Sequence, residues 1–127
     1  MHYVELVALL ALLQFFAFGL LVGRARGKYG VKAPAVNGHE MFERAYRVQM
    51  NTLELMILLL PGLYLGATLW SPLYTAICGA VYLVGRTIYW RAYMTDPATR
   101  TLGFALSMGP ILILLIAALV AVARSLL

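Results

Sequence analysis

Long apolar runs separated by short polar breaks dominate the chain. The first run extends from Tyr3 to about Val22 and is followed by a polar stretch, punctuated by Gly and Pro, from Gly23 to Gly38. A second run starts near Gly38-His39-Glu40 and reaches about Leu69. After the short turn Trp70-Ser71-Pro72, a third run covers Pro72 to about Tyr93, and a fourth follows Thr95-Asp96-Pro97 and ends near Leu126. Runs of ~20–25 apolar residues match the length of a transmembrane helix. Lipid cannot satisfy backbone N–H and C=O groups, so such runs must be helical. The pattern predicts an all-α, integral membrane four-helix bundle with up-down-up-down topology, forming one domain over residues 1–127. The first run is too long for a signal-peptide core and lacks a basic segment before it, so it is expected to be a retained span.

Composition strengthens this reading. The 127 residues are 63% hydrophobic and only 12% charged, whereas soluble domains run near 45–50% and about 25%. Net charge is +5, but its placement says more. Arg24, Arg26, Lys28 and Lys32 lie between the first two runs with no acid before Glu40, and Arg91 and Arg100 flank the break between the last two. Under the positive-inside rule both connections face the cytoplasm and both termini the opposite side. Trp70 and Tyr74 suit an aromatic belt on that opposite side. Basic residues confined to membrane boundaries exclude nucleic acid as an expected partner. Cys78 is alone, so no intrachain disulfide forms. His2 and His39 lack companions at ligand spacing, and no metal is expected.

The second run departs from simple apolarity. It opens with Glu43-Arg44-Ala45-Tyr46-Arg47-Val48-Gln49-Met50-Asn51-Thr52-Leu53-Glu54. On a helix at about 100° per residue, Glu40, Glu43, Arg44, Arg47, Asn51 and Glu54 share one arc, and Gln49 lies off it. A charge at bilayer depth costs at least ~2.5 kcal/mol, so such a stripe implies partners or function. Tyr82, Arg86, Tyr89 and Tyr93 form a second stripe on the third run, within roughly 60° of one another. Gln14 alone breaks the centre of the first run, as a helix–helix hydrogen bond would require. Asp96 and Pro97 suit the N-cap and first position of the fourth helix, which places Arg100 in its first turn. Pro61 and Gly109-Pro110 are expected to bend their helices.

Together the stripes predict a cationic, tyrosine-lined pocket near the cytoplasmic face, built from Arg47, Arg86 and Arg100 with Asn51, Glu54, Tyr89 and Tyr93. Guanidiniums bind carboxylates in bidentate fashion. Glu54 can pair an ammonium, and Asn51 can both donate to and accept from a peptide group. The inventory suits a small zwitterionic polyanion with amides, such as a tripeptide carrying two carboxylates, an amine and a thiol. A nearby arginine would favour the nucleophilic thiolate.

The motif Glu43-Arg44 … Arg47 … Asn51 … Glu54 resembles the second-helix signature of the MAPEG family, the membrane-associated proteins in eicosanoid and glutathione metabolism. Val84-Gly85-Arg86, Tyr89, Tyr93 and Arg100 continue the match at the spacing of its leukotriene C synthase and microsomal glutathione transferase branches, over essentially the whole chain. The resemblance implies a homotrimer in the membrane with glutathione bound as co-substrate at each subunit interface. It implies glutathione contacts at Arg47, Asn51, Glu54, Arg86, Tyr89 and Tyr93, with Gln49 reaching a neighbouring protomer's ligand and Arg26 matching a helix-one arginine. It assigns Arg100 to stabilising the thiolate. The implied activity is conjugation of glutathione to lipophilic electrophiles, with a glutathione-dependent peroxidase activity beside it. A non-catalytic, lipid-binding scaffold of the same fold is the alternative. Two positions depart from the family pattern. Leu55 replaces a ligand-contacting tyrosine, and Thr101 stands where one isomerase branch has a catalytic serine.

Overall fold

A computed structural model describes all 127 residues and contains four long helices and no strand. They are α1 (His2–Tyr29), α2 (Glu40–Leu69), α3 (Pro72–Thr95) and α4 (Thr101–Leu126), with a short 3-10 turn at Pro97–Thr99. The four-helix, all-α expectation therefore holds. The helices α1, α2 and α4 are each long and apolar enough to cross a membrane. At 24 residues, α3 spans ~36 Å, which exceeds a ~30 Å hydrocarbon core, but its tyrosines and arginines lower its apolarity.

Two boundaries differ from the sequence reading. The first helix does not stop near Val22 but runs through the basic stretch to Tyr29. Arginine and lysine are good helix formers, and cations are favoured at a helix C-terminus. Gly30 then ends the helix in the left-handed conformation, with φ 69° and its amide bonded to the Arg26 carbonyl, a geometry that favours glycine. At the other break, Asp96 caps the 3-10 turn, its carboxylate accepting from the Ala98 amide at 3.1 Å. Thr99 Oγ1 donates to the Asp96 carbonyl at 2.7 Å, and such local bonds compete with helix propagation. Consequently Arg100 is the N-cap of α4 and not a member of its first turn.

Unlike a soluble bundle, this one is apolar outside as well as inside. Large apolar side chains such as Leu9, Leu13, Phe16 and Leu20 of α1 and Leu112, Ile116 and Leu119 of α4 face outward. The interior holds Leu59, Leu63, Tyr82, Ile111 and Leu114 together with the polar residues Thr52, Thr75, Arg86 and Ser107. Lipid is as apolar as leucine, so helices in a membrane associate through close packing and hydrogen bonds instead. Both are present. A Cβ placed on Gly85 would lie 2.7 Å from the Leu106 carbonyl carbon, and one on Gly103 would lie 2.3 Å from the Tyr89 amide nitrogen. These glycines let the α3 and α4 backbones meet. Gln14 Nε2 donates to the Leu83 carbonyl at 3.1 Å and to Thr87 Oγ1 at 3.2 Å, tying α1 to α3. Both α2 and α4 remain helical through Pro61 and Pro110.

Candidate functional site

At the end of the bundle where α1 and α3 finish and α2 and α4 begin, a cavity of about 750 Å³ opens between α2, α3 and α4. Its lining includes Arg47 and Asn51 from α2, Tyr89 and Tyr93 from α3, Arg100 between the turn and α4, and Phe104 of α4. Helical spacing sets these pairs on common faces: Arg47 and Asn51 are four residues apart, as are Tyr89 and Tyr93. The two tyrosine rings lie 5.6 Å apart and Phe104 adds a third ring 6.4 Å from Tyr89. Ala98 and Thr101 complete the rim.

The charge in this cavity is one-sided. Arg47 and Arg100 are exposed to it, and no carboxylate pairs with either. Arg100 Nη1 donates to the Pro97 carbonyl at 2.7 Å, which leaves its remaining N–H groups for another partner. No side chain caps α4, so the positive end of that helix adds to the two guanidiniums at Thr101. An anion with acceptor oxygens or a thiolate matches this electrostatic environment.

Arg86 lies behind the cavity wall and not on it. It is fully buried and bonded on three sides. Its Nε donates to Ser107 Oγ at 2.8 Å, and its Nη1 donates to Asn51 Oδ1 at 2.8 Å and Thr52 Oγ1 at 3.1 Å. The guanidinium carbon also stands 4.1 Å from the centre of the Tyr89 ring, a cation–π distance. Only Nη2 lacks a partner. Arg86 therefore touches Asn51 and Tyr89, which do line the cavity.

The remaining residues of the sequence reading lie elsewhere. Glu54 is exposed on the α2 surface and does not line the cavity of this single chain. Gln49 turns toward α1, where its Nε2 lies 3.0 Å from the position a Cβ on Gly19 would take. Arg26 donates to the Ala35 carbonyl at 2.6 Å and packs over the Phe42 ring at 4.7 Å, fixing the loop after α1. Glu40 and Arg44 form an i,i+4 pair at 2.6 Å. Arg44 additionally donates to the Met94 and Thr95 carbonyls at the end of α3.

Sequence reasoning did not single out Thr52, Ser107 or Phe104. Each had a faint signal. Thr52 is a hydroxyl beside Asn51 at the head of an apolar block, and Ser107 is isolated among Leu and Met on α4. Phe104 follows Arg100 by one helical turn, but an aromatic in an apolar span has no distinguishing mark.

The model of the MAPEG family matches residues 4–120. Microsomal glutathione S-transferase 2 of Homo sapiens is 34% identical over 119 residues, covering 94% of this chain and 81% of that protein. An uncharacterized protein of Synechocystis sp. is 44% identical over 117 residues, 92% of this chain and 85% of its own length. Leukotriene C4 synthase of Cavia porcellus is 36% identical over 94 residues, 74% of this chain and 63% of that protein.

Proposed function

The chain belongs to the MAPEG family, and from that premise we propose that it is a membrane-bound glutathione transferase that joins glutathione to lipophilic electrophiles. The observation that carries the proposal is the pair of carboxylate-free guanidiniums, Arg47 and Arg100, opening on one tyrosine-lined cavity with Asn51. Two relatives are named for chemistry of this kind, microsomal glutathione S-transferase 2 and leukotriene C4 synthase.

In the proposed reaction the carboxylates of glutathione pair with guanidinium donors and its amides meet Asn51. Arg100, beside the uncapped start of α4, stabilises the thiolate. The thiolate sulfur attacks the electrophilic carbon, a sulfur–carbon bond forms, and the leaving group departs with its electron pair. The thiol proton passes to water. The electrophile enters from the bilayer, past the outward apolar surfaces of the helices. With a hydroperoxide as the oxidant, the same thiolate supports a glutathione-dependent peroxidase activity. The single domain assembles as a homotrimer in which a neighbouring copy completes the cavity. The cavity faces the cytoplasm and both termini face the opposite side.

Turnover of 1-chloro-2,4-dinitrobenzene in detergent, followed with glutathione and with other low-molecular-weight thiols, tests the reading. Glutathione-dependent chloride release is expected. If calorimetry shows no glutathione binding while lipid binding persists, a non-catalytic lipid-binding scaffold replaces it.

A further inference from the structure

The contact between Arg86 and Asn51 fixes which end of the Asn51 amide faces the cavity. A guanidinium has donors only, so the atom it meets at 2.8 Å must be the carbonyl oxygen Oδ1. Asn51 therefore directs its Nδ2 away from Arg86, and that nitrogen has no hydrogen-bond partner in the protein even though Asn51 lines the cavity. An asparagine free to turn over could present either end to the cavity; this one is held with its donor end there. Arg86 cannot easily shift to release it. Its Nε is engaged by Ser107, Nη1 is shared with Thr52, and the guanidinium packs against the Tyr89 ring. The two hydroxyls are held in turn, Ser107 donating to the Gly103 carbonyl at 2.7 Å and Thr52 to the Val48 carbonyl at 2.8 Å. Their protons are committed to the helix backbone, so both oxygens present lone pairs to Arg86. All four residues that build this lock, Arg86, Ser107, Thr52 and Tyr89, are buried.

We propose that Arg86, Thr52 and Ser107 are positioning residues that hold Asn51 with Nδ2 directed to the cavity, so that the group of the ligand meeting Nδ2 is an acceptor, a carboxylate or amide carbonyl oxygen. This deepens the glutathione reading and rests on it for the ligand's identity. The polarity of Asn51 itself follows from Arg86 alone. A specific consequence is that Asn51 Nδ2 cannot meet the ammonium of a zwitterionic ligand, for which a carboxylate is the stronger partner.

The test uses the full-length protein in detergent. Asn51→Asp keeps the shape and the Arg86 contact but replaces the cavity-facing donor by an acceptor. Glutathione affinity is expected to fall at least about tenfold, since the ligand's acceptor then faces another acceptor. Thr52→Val, which removes a hydroxyl at constant shape, is expected to weaken glutathione about threefold or more, and Thr52→Ser to restore it. A ligand-free arm separates this idea from the glutathione reading. The sequence holds two asparagines, Asn37 and Asn51, so asparagine-selective nitrogen-15 labelling yields two side-chain amide pairs. The Asn51 pair is expected to shift in Thr52→Val and in Ser107→Ala, while the Asn37 pair stays in place. Failure of the wild type to bind glutathione would remove the functional reading and leave the spectra to decide the lock. The inference is overturned if the Asn51 pair is unmoved in both variants, or if Asn51→Asp binds glutathione as tightly as the wild type.

Discussion

Gly103 of α4 rests directly on the backbone of Tyr89 of α3. A Cβ at Gly103 would lie 2.3 Å from the Tyr89 nitrogen and 2.5 Å from its Cα. Backbone atoms cannot swing aside as a side-chain tip can. Gly103→Ala is therefore expected to push α4 away from α3, at a cost of about 1–3 kcal/mol as in other overpacked sites, and to displace the Tyr89 ring that lines the cavity. Gly27→Ala is the control, because nothing lies within 4 Å of a Cβ there. It should leave stability equal or slightly higher, since alanine is favoured over glycine in a helix. Thermal unfolding in detergent, read by circular dichroism, compares the two.

Arg44 joins the start of α2 to the end of α3. Its Nη1 reaches the carbonyls of Met94 at 2.9 Å and Thr95 at 3.1 Å, while Nη2 meets Glu40 at 2.6 Å. The carbonyls at a helix end have no partner within the helix. Arg44→Ala should cost about 1–3 kcal/mol, the range for leaving such groups without their charged donor. Glu40→Ala should cost less than about 1 kcal/mol, because an exposed ion pair contributes little. Equal melting temperatures for the two variants would show that the Glu40 pair, and not the α3 cap, is what Arg44 supplies.

The spans were legible because a membrane imposes a long apolar period that no soluble helix needs. The Glu40-to-Glu54 stripe was legible for the converse reason, as charge where lipid should be. The end of α1 was not, since Arg24, Arg26 and Lys28 read equally well as a basic loop and as a helix terminus. Arg86 shows the limit at the site. Its face on α3 was predicted, and it does point at the polar centre. Whether it touches ligand or stands behind Asn51 depends on how far α4 sits from α3, and Gly85, Gly103 and Ser107 set that distance. A wheel drawn for one helix contains no information about the next. Gln49 makes the same point, for its place against Gly19 follows from the α1–α2 packing alone.

Gln14 tests how much a single membrane hydrogen bond contributes. Its amide donates to the Leu83 carbonyl and to Thr87 Oγ1 across the α1–α3 contact. Interhelical bonds of this kind in membranes contribute about 0.6 kcal/mol on average and up to ~1.7 kcal/mol. Gln14→Leu should lower stability within that range and leave glutathione KM unchanged, because Gln14 lies outside the cavity lining. Steady-state kinetics beside a detergent-unfolding series measures both.

Arg100 is expected to separate chemistry from binding. It sits at the uncapped start of α4, on the cavity rim. Removing a donor aimed at developing or localised negative charge commonly lowers kcat by about 10²–10³. Arg100→Ala should show that loss in kcat with a smaller change in glutathione Kd. Arg47→Ala, which removes the other unpaired guanidinium, should act mainly on Kd. Stopped-flow absorbance of the bound thiolate, read beside calorimetry, distinguishes the two: Arg100→Ala should lose the thiolate signal at saturating glutathione, whereas Arg47→Ala should recover it once enough ligand is present.

Glu54 gives the sharpest test of assembly. It shares the α2 stripe with Arg47 and Asn51, yet it is exposed and contributes nothing to the cavity of one chain. A carboxylate held at bilayer depth facing lipid is costly, and three stripes packed around a common axis would remove it from lipid. In the proposed trimer Glu54 acts across the subunit boundary, where it can meet the ligand's ammonium. Glu54→Gln should raise glutathione KM about tenfold in the trimer, consistent with loss of one charged hydrogen bond. In detergent that disperses the protein to monomers, wild type and Glu54→Gln should bind glutathione equally weakly. Cross-linking in native membranes fixes which state is measured. A tenfold difference that persists in monomers would place Glu54 on its own chain's ligand instead.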